Sequence, residues 1–600
     1  MSRAARKRAK KKQKRELHKS CDDSDPELQV TKKQKNEAFD YDSDPEDLDL
    51  PVVENGKLGQ ENETIPDEPD EEVDQLVEGL ICKLTPSQIL LHSEVDEETA
   101  GEKVGSEDVD LRDLLQEITA KQRARCLFQS ILGQSVNSQE FYSKYWEREP
   151  LLIQSNSRAR FNGFLSLESI KELTKTHKMI YGRDLNVTRY EAGADGVKRR
   201  IILDQLKEGD FVVVADPNDL WSNFHDNGCT IRLLCPQLYS DSIHAILSTL
   251  ELEWGCMVGA NAYLTPPRAC QGFSPHYDDI DAYILQLEGK KHWKVYSPLS
   301  KAGILPRVSS EDYTEDDLKG VEPVMDVVLE AGDVLYMPRG WIHQACTLQT
   351  DEHSLHLTVS AMQQWAWVDY LELLLPEALA AAVASETSTS LREGLPRNFL
   401  DYMGAIYDQP EDPEAFKVIK DNTEEDAETV RRRMKKEQLR KSFAEEATKR
   451  LMRVTKEAIS MIDAACDQMG KRFLSDRQPP ALTQAESELT SEKHGGGKIL
   501  PTTMCRLVRP GIARMALEDG KAVVYHCAEN SRVYHGNPLS PLEFEMDDAA
   551  AIEGLLTTVE PYWIMVKDLF HDEISDKIEI AQSLYNEGIL AILQTGKSEK

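Results

Sequence analysis

The order of patterns along this 600-residue chain predicts an α+β protein in four parts. Three observations carry that prediction. Short β-prone runs recur between residues 283 and 360, a 3.6-residue apolar period takes over from about residue 365 to 477, and the first hundred residues are dense in charge and poor in large apolar groups. After residue 499, short strand-like and helical runs mix in a final segment.

The N-terminal part cannot offset the entropy of ordering. MSRAARKRAKKKQKRELHKS (1–20) and KKQK (32–35) are basic, whereas FDYDSDPEDLDLP (39–51) and PDEPDEEVDQ (66–75) are acidic. Two basic clusters with a spacer read as a nuclear or nucleolar address, with a solubilising tail as the plainer alternative. Ser24 and Ser43 each stand in Ser-Asp-Pro-Glu, a context for an acid-directed kinase. No apolar run approaches the 18–20 residues of a membrane span, and the N-terminus lacks a secretory apolar stretch. The eleven cysteines are scattered without a Cys-x-x-Cys pair, so neither a zinc ribbon nor a disulfide framework is indicated.

Residues 110–135 have helical periodicity and open the β-rich segment. Within it, 279–298 reads as strand, tight turn at Glu288-Gly289-Lys290, and strand. Val324 to Leu329 and Val334 to Met337 are further strands, with Asp333 capping the turn between them. In the strand 353–360, His356 is a core or pocket histidine. The helical part contains 369–386 and 446–473, with Leu451, Val454, Ile459, Met461 and Ile462 forming a wide apolar stripe. Such a stripe packs against the chain's own body or a partner. Residues 479–498 read as a linker or exposed loop. Beyond it lie strands at Lys521 to His526 and Ser531 to His535, and helices at Asp547 to Thr557 and Asp576 to Asn586.

The chemistry is carried by His276 and Asp278 in HYD (276–278), and by His343 in GDVLYMPRGWIH (332–343). Side chains at i and i+2 of a strand share a face. A histidine from a distant strand would complete two imidazoles and one carboxylate, the facial triad of non-haem Fe(II) oxygenases. Lys291 shares its face with Trp293 and Val295. If that face is interior, the ammonium needs an anion, and the far carboxylate of a dicarboxylic co-substrate is a suitable one.

FYSKYWEREPLLI (141–153), NAYLTPP (261–267), GFSPHYDDIDAYILQLEGKKHWKVY (272–296) and GDVLYMPRGWIHQA (332–345) together resemble the JmjC-type 2-oxoglutarate oxygenases, in particular the ribosomal oxygenases. LREGLPRNFLDYMG (391–404) and GIARMALEDGKAVVYHCAENSRVYH (511–535) extend the resemblance to roughly residues 115–595. The run KKEQLRKSFAEEATKR (435–450) stands apart from it. The resemblance implies a double-stranded β-helix holding Fe(II) through His276, Asp278 and His343. It implies 2-oxoglutarate anchored by Lys291, with Asn261, Tyr263 and Ser360 in the same pocket. Arg232 matches a pocket-lining arginine, for which a surface role fits as well. It also implies a disordered tail (1–110), a JmjC catalytic domain (111–365), a helical dimerisation domain (366–480) and a winged-helix domain (485–600).

Such a centre takes 2-oxoglutarate and O2 and couples loss of CO2, with formation of succinate, to oxidation of a substrate C–H bond. On a histidine the product is a stable alcohol. On an N-methyl group it is a hemiaminal that collapses to amine and formaldehyde. The implied substrates are a ribosomal-protein histidine, a methylated lysine of the histone H3 tail, or both, with transcriptional repression following from loss of methyl marks. A net charge of −34 suits basic partners of this kind. Residues 541–600 carry thirteen Asp/Glu against four Lys/Arg, which argues against DNA binding by the C-terminal domain. Two other classes compete: a non-catalytic nucleolar or chromatin scaffold, and a cupin-type metal enzyme without 2-oxoglutarate. The complete triad opposes the first. Lys291 opposes the second.

Overall fold

The computed structural model describes Thr85, Pro86 and Ile89, then residues 118–203, 213–385, 389–407, 427–490, 497–533, 538 and 540–594. The expectations for the charged tail, for 110–117 and for Ser24 and Ser43 lie outside these residues. All described elements belong to one compact unit, Glu68–Lys600.

A capping box at Thr119 starts helix α1, Ala120–Leu132. Helices α2 (Leu167–Thr176), α3 (Pro217–His225) and α4 (Asp241–Trp254) follow among the early strands. Ser240 caps the start of α4, and Gly255, at φ +64°, ends it. The sheet strands run β1 (Leu151–Ile153), β2 (Leu185–Ala192), β3 (Lys198–Ile202), β4 (Thr230–Leu234), β5 (Gly259–Thr265), β6 (Asp281–Tyr296), β7 (Met325–Glu330), β8 (Val334–Met337), β9 (Ile342–Thr347) and β10 (Ser354–Ala361). The spatial order is β1-β8-β6-β10-β5-β4-β2-β3, and β7 and β9 flank the second half of β6. All these pairings are antiparallel, as a double-stranded β-helix requires.

The expected strand-turn-strand over 279–298 is instead the single strand β6. Its first half pairs with β8 and β10, its second with β7 and β9. Local turn chemistry at Glu288-Gly289-Lys290 makes a bend rather than a reversal. The register against β10 slips between Leu355 and His356, and Gly289 takes φ +64°. A β-carbon there would lie 1.8 Å from the carbonyl oxygen of His353, so only glycine lets β6 cross between sheets at this point.

The main core packs α1 and α4 onto the sheet, with Phe128, Trp254 and Tyr283 in mutual ring contact. A smaller core of Trp293, Val295, Leu329, Leu335 and Met337 lies behind the second half of β6.

Helices α5 (Trp367–Ala384), α6 (Ala427–Ser460) and α7 (Ile462–Asp476) form the helical part. The helix expected over 446–473 is broken at Met461, which leaves helical geometry at φ −111° and ψ 9°. Val454 and Met461 pack with Leu374 and Ala378, whereas Leu451, Ile459 and Ile462 of the same stripe are exposed.

The expected linker is not a free loop where it is described. Gln478 is fully buried and donates to the Val258 carbonyl, and Ala481 N–H donates to Ser248 Oγ. These anchors strap the chain across α4 before it enters the C-terminal part.

That part has its own core. It holds β11 (Thr503–Leu507), β12 (Ala513–Glu518), β13 (Lys521–His526), β14 (Leu542–Glu545), β15 (Ile564–Met565) and β16 (Leu590–Gln594), with helices α8 (Ala549–Thr557) and α9 (Ile574–Asn586). The strand expected from Ser531 does not form over 531–533, and 534–535 lie outside the described residues. No described helix is long and apolar enough to cross a membrane.

Candidate metal centre

The segment before β6 delivers His276 and Asp278, and β9 delivers His343. His276 and His343 are paired by backbone hydrogen bonds of 3.2 and 2.8 Å in opposite directions. Ligand atoms of the three side chains lie within 4.8 Å of one another. His276 Nδ1 is 2.7 Å from the Ser274 carbonyl oxygen, and His343 Nδ1 is 3.1 Å from that of Trp341. A carbonyl only accepts, so each Nδ1 carries its proton and each Nε2 presents a lone pair. Those Nε2 atoms face the Asp278 carboxylate at 3.8 and 3.7 Å. Two lone pairs and an anion directed at one another repel unless a cation lies among them. Burial and the neighbouring His276 hold His343 well below the usual imidazole range, in the neutral form that binds metal. The donor set therefore fits Fe(II) with one face left open.

Beside the triad lies a cluster of polar side chains on β5, β6 and β10. Asn261, Tyr263 and Thr265 alternate along one face of β5, opposite Thr358, His356 and Ser354 of β10. Lys291 enters from the second half of β6 and is 5% exposed. Its Nζ donates to Thr265 Oγ1 at 2.9 Å, and no carboxylate of the described residues neutralises it. Burial pushes its pKa down to about 7. The Asn261 Oδ1 and His356 Nδ1 atoms are buried without a hydrogen-bond partner. Tyr263 is held above its usual pKa by burial.

The inward orientation expected for Lys291, Trp293 and Val295 is what the strand adopts. Asp333 caps its turn, accepting from Glu330 N at 2.9 Å and Ser155 N at 2.8 Å. His353 pairs with Glu288 at 2.9 Å and plays no part in the pocket. Arg232 sits beside Tyr263 on β4, donates to Asn186 Oδ1 at 2.7 Å and lies over the Phe273 ring at 5.7 Å. Ser360 is not at the Lys291 end. It pairs with Gly259, whereas Ser354 pairs with Thr265, so roughly 20 Å of strand separates them. Ser360 instead neighbours Ala282, just past Asp278.

The sequence reads His356 only as a core or pocket histidine and gives no sign of its place beside Lys291. It stacks on Tyr263 at 4.8 Å and 8°, and meets Trp293 edge-on at 5.3 Å. Burial, then Lys291 and His343, keep it neutral. Its only signal in the sequence was the alternation that also fits a core strand.

Residues 232–370 match the JmjC domain family, and residues 478–594 match the C-terminal winged-helix domain of ribosomal oxygenase 1. Ribosomal oxygenase 1 of Gallus gallus is 38% identical over 482 residues, 78% of this chain and 72% of that protein. The chain belongs to the ribosomal oxygenase family. Ribosomal oxygenase 1 of Homo sapiens is 35% identical over 80% of this chain and 70% of its own length. The bifunctional lysine-specific demethylase and histidyl-hydroxylase NO66 of Aedes aegypti is 37% identical over 76% of this chain and 66% of its own length. With this family and the triad geometry, the chain is an Fe(II)- and 2-oxoglutarate-dependent oxygenase.

Proposed function

We propose that this ribosomal oxygenase hydroxylates a histidine of a ribosomal protein, and that demethylation of a methylated histone H3 lysine is a second outcome of the same pocket. The observation that carries the catalytic half is the convergence of His276, Asp278 and His343 in front of the unneutralised Lys291. The substrate half is supported by relatives named as ribosomal oxygenases and as a histidyl-hydroxylase and lysine-specific demethylase.

When bound, the iron centre supplies C–H oxidation driven by conversion of 2-oxoglutarate and O2 to succinate and CO2. His276, Asp278 and His343 hold it. The Lys291 ammonium, steadied by Thr265, takes the far carboxylate of 2-oxoglutarate. Tyr263 and Asn261 line the path between that carboxylate and the metal. Ser360 and Arg232 belong to the metal-side half of the pocket, where substrate also enters. The Trp293 and Tyr263 rings keep water from the Lys291 end.

The helical part supports a homodimer. Trp367 is 81% exposed, and Leu371, Leu375 and Leu379 continue its row along α5. The exposed Leu451, Ile459 and Ile462 add to this unpartnered apolar surface. The four-part division, with a tail to residue 110, a catalytic domain to 365, a dimerisation domain to 480 and a winged helix from 485, follows from the resemblance. The basic runs at 1–20 and 32–35 support a nuclear address, in nucleolus and nucleoplasm, and demethylation there would repress transcription.

Incubation with Fe(II), 2-oxoglutarate, O2 and peptide pools from ribosomal proteins and methylated histone H3 tests the reading. A gain of about 16 Da on a histidine peptide is expected. A loss of about 14 Da with formaldehyde would establish the demethylase outcome. Neither change, and no succinate, would favour a scaffold that only binds.

A further inference from the structure

A closed ring of hydrogen bonds among four residues lies beside the metal ligands and belongs to none of the roles above. Asp281 opens β6 three residues past Asp278 and is fully buried. Its carboxylate accepts from Tyr336 Oη at 2.7 Å and from both the backbone N–H and Nη1 of Arg339 at 3.1 Å. The other guanidinium nitrogen, Nη2, reaches Glu147 Oε1 at 2.6 Å. Glu147 N–H closes the ring by donating to Tyr336 Oη at 2.9 Å. Glu147 takes a left-handed φ of +57° to do so, an unfavourable conformation for a residue with a β-carbon.

Arg339 stands in the short connection that carries the chain from β8 to His343. The next residue, Gly340, donates its N–H to the Asp278 carbonyl at 3.0 Å. At φ +90°, its β-carbon would lie 2.1 Å from the Gly303 carbonyl oxygen, so only glycine fits this close approach. The segment bearing Asp278 and the segment bearing His343 are thus tied by the two His276–His343 backbone bonds, by the Gly340–Asp278 backbone bond and, through side chains, by the Asp281–Arg339 pair.

A buried ion pair rarely stabilises a fold more than an apolar pair of the same volume. Its value here is directional, because guanidinium geometry fixes both partners in plane. We infer that Arg339, bridging Asp281 and Glu147, is a positioning residue that sets the spacing between the Asp278 and His343 segments, and thereby the affinity for the metal. The inference rests on the reading of His276, Asp278 and His343 as ligands.

The test uses the full chain stripped of metal and titrated with Co(II), following its visible absorption and dissociation constant. Arg339→Lys keeps the charge but cannot span both carboxylates. It is expected to weaken Co(II) binding about 10- to 100-fold and to alter the Co(II) spectrum, while circular dichroism stays native. A folded Arg339→Lys with wild-type affinity and spectrum would overturn the inference. If that variant does not fold, Glu147→Ala decides. It removes the carboxylate that Arg339 Nη2 reaches, at the partly exposed end of the ring, and leaves Asp281 and Arg339 paired. Weakened binding supports the inference, and unchanged binding and spectrum overturn it. His276→Ala serves as the control. If it bound Co(II) as the wild type does, the ligand assignment itself would fall and the inference with it, a result distinct from a silent Arg339 variant.

Discussion

Lys291 and Arg477 are both buried cations, and their surroundings are opposite. Arg477, 1% exposed, joins the helical part to the catalytic part. It pairs with Glu251 at 2.9 Å, donates to the Gly511 carbonyl at 3.0 Å and lies over the Phe473 ring at 4.6 Å. Nearby, Glu486 is shared by Arg123 at 2.7 Å and Arg509 at 2.5 Å. Each of these buried charges has a partner in the chain. Lys291 has a hydroxyl and two aromatic neighbours, Trp293 and His356, but no anion among the described residues. Burying a charge without a counter-charge costs free energy that folding alone does not return. Paired buried charge is therefore architecture in this molecule, and unpaired buried charge marks where a ligand completes the structure.

The sharpest break in that comparison is at the triad. Asp278→Ala should reduce turnover to background while the melting temperature holds or rises, since it removes an anion from between two imidazoles. Loss of the fold, measured by circular dichroism, would place Asp278 among the architectural charges instead.

Next in size is the paired region. Arg477→Met strands Glu251 in the interior and should destabilise the protein by about 3–5 kcal/mol in denaturant titration. Adding Glu251→Leu should recover most of that loss. Turnover per folded molecule should be unchanged, because neither residue touches the pocket. A double variant as unstable as the single one would mean that the pair does more than neutralise itself.

A smaller effect sharpens the comparison through pH. The Lys291 ammonium is the form that binds a carboxylate, and in the free protein its pKa is pushed down to about 7. A bound dicarboxylate raises that value. Above pH 7, binding 2-oxoglutarate must therefore take up a proton, and its dissociation constant should rise by up to about tenfold per pH unit. Calorimetry in two buffers of different ionisation enthalpy measures the uptake. Binding without proton uptake at pH 8 would show that Lys291 is already charged in the free protein.

Much of this was legible in the sequence for a physical reason. Val334 to Met337 is a four-residue apolar run bounded by Gly332-Asp333 and Pro338, and it forms β8 with those limits. The alternation of Lys291, Trp293 and Val295 is a local pattern, so its face could be read directly, whereas His276 and Asp278 lie in the segment before β6 rather than on a strand. Gly289 misled because a bend between two sheets and a hairpin turn use the same residues. Only long-range pairing with β7, β9 and β10 distinguishes them. The helix break at Met461 has no proline or glycine to announce it. The segment 479–490 read as part of a solvated linker because Glu486 and its partner Arg123 stand 363 positions apart, and a charge gives no local sign that its partner is distant. Which end of the pocket Ser360 occupies was not legible, since register with β5 is not encoded in either strand alone.

Lys291→Met tests the central claim most directly, because stability and ligand binding should move in opposite senses. With Co(II) in the triad, the variant should melt at or above the wild-type temperature, having lost an unpaired buried charge. Its affinity for 2-oxoglutarate should fall roughly 30-fold or more. A variant that binds 2-oxoglutarate like the wild type, or that unfolds as Arg477→Met does, would contradict the assignment of Lys291 as a charge awaiting its ligand.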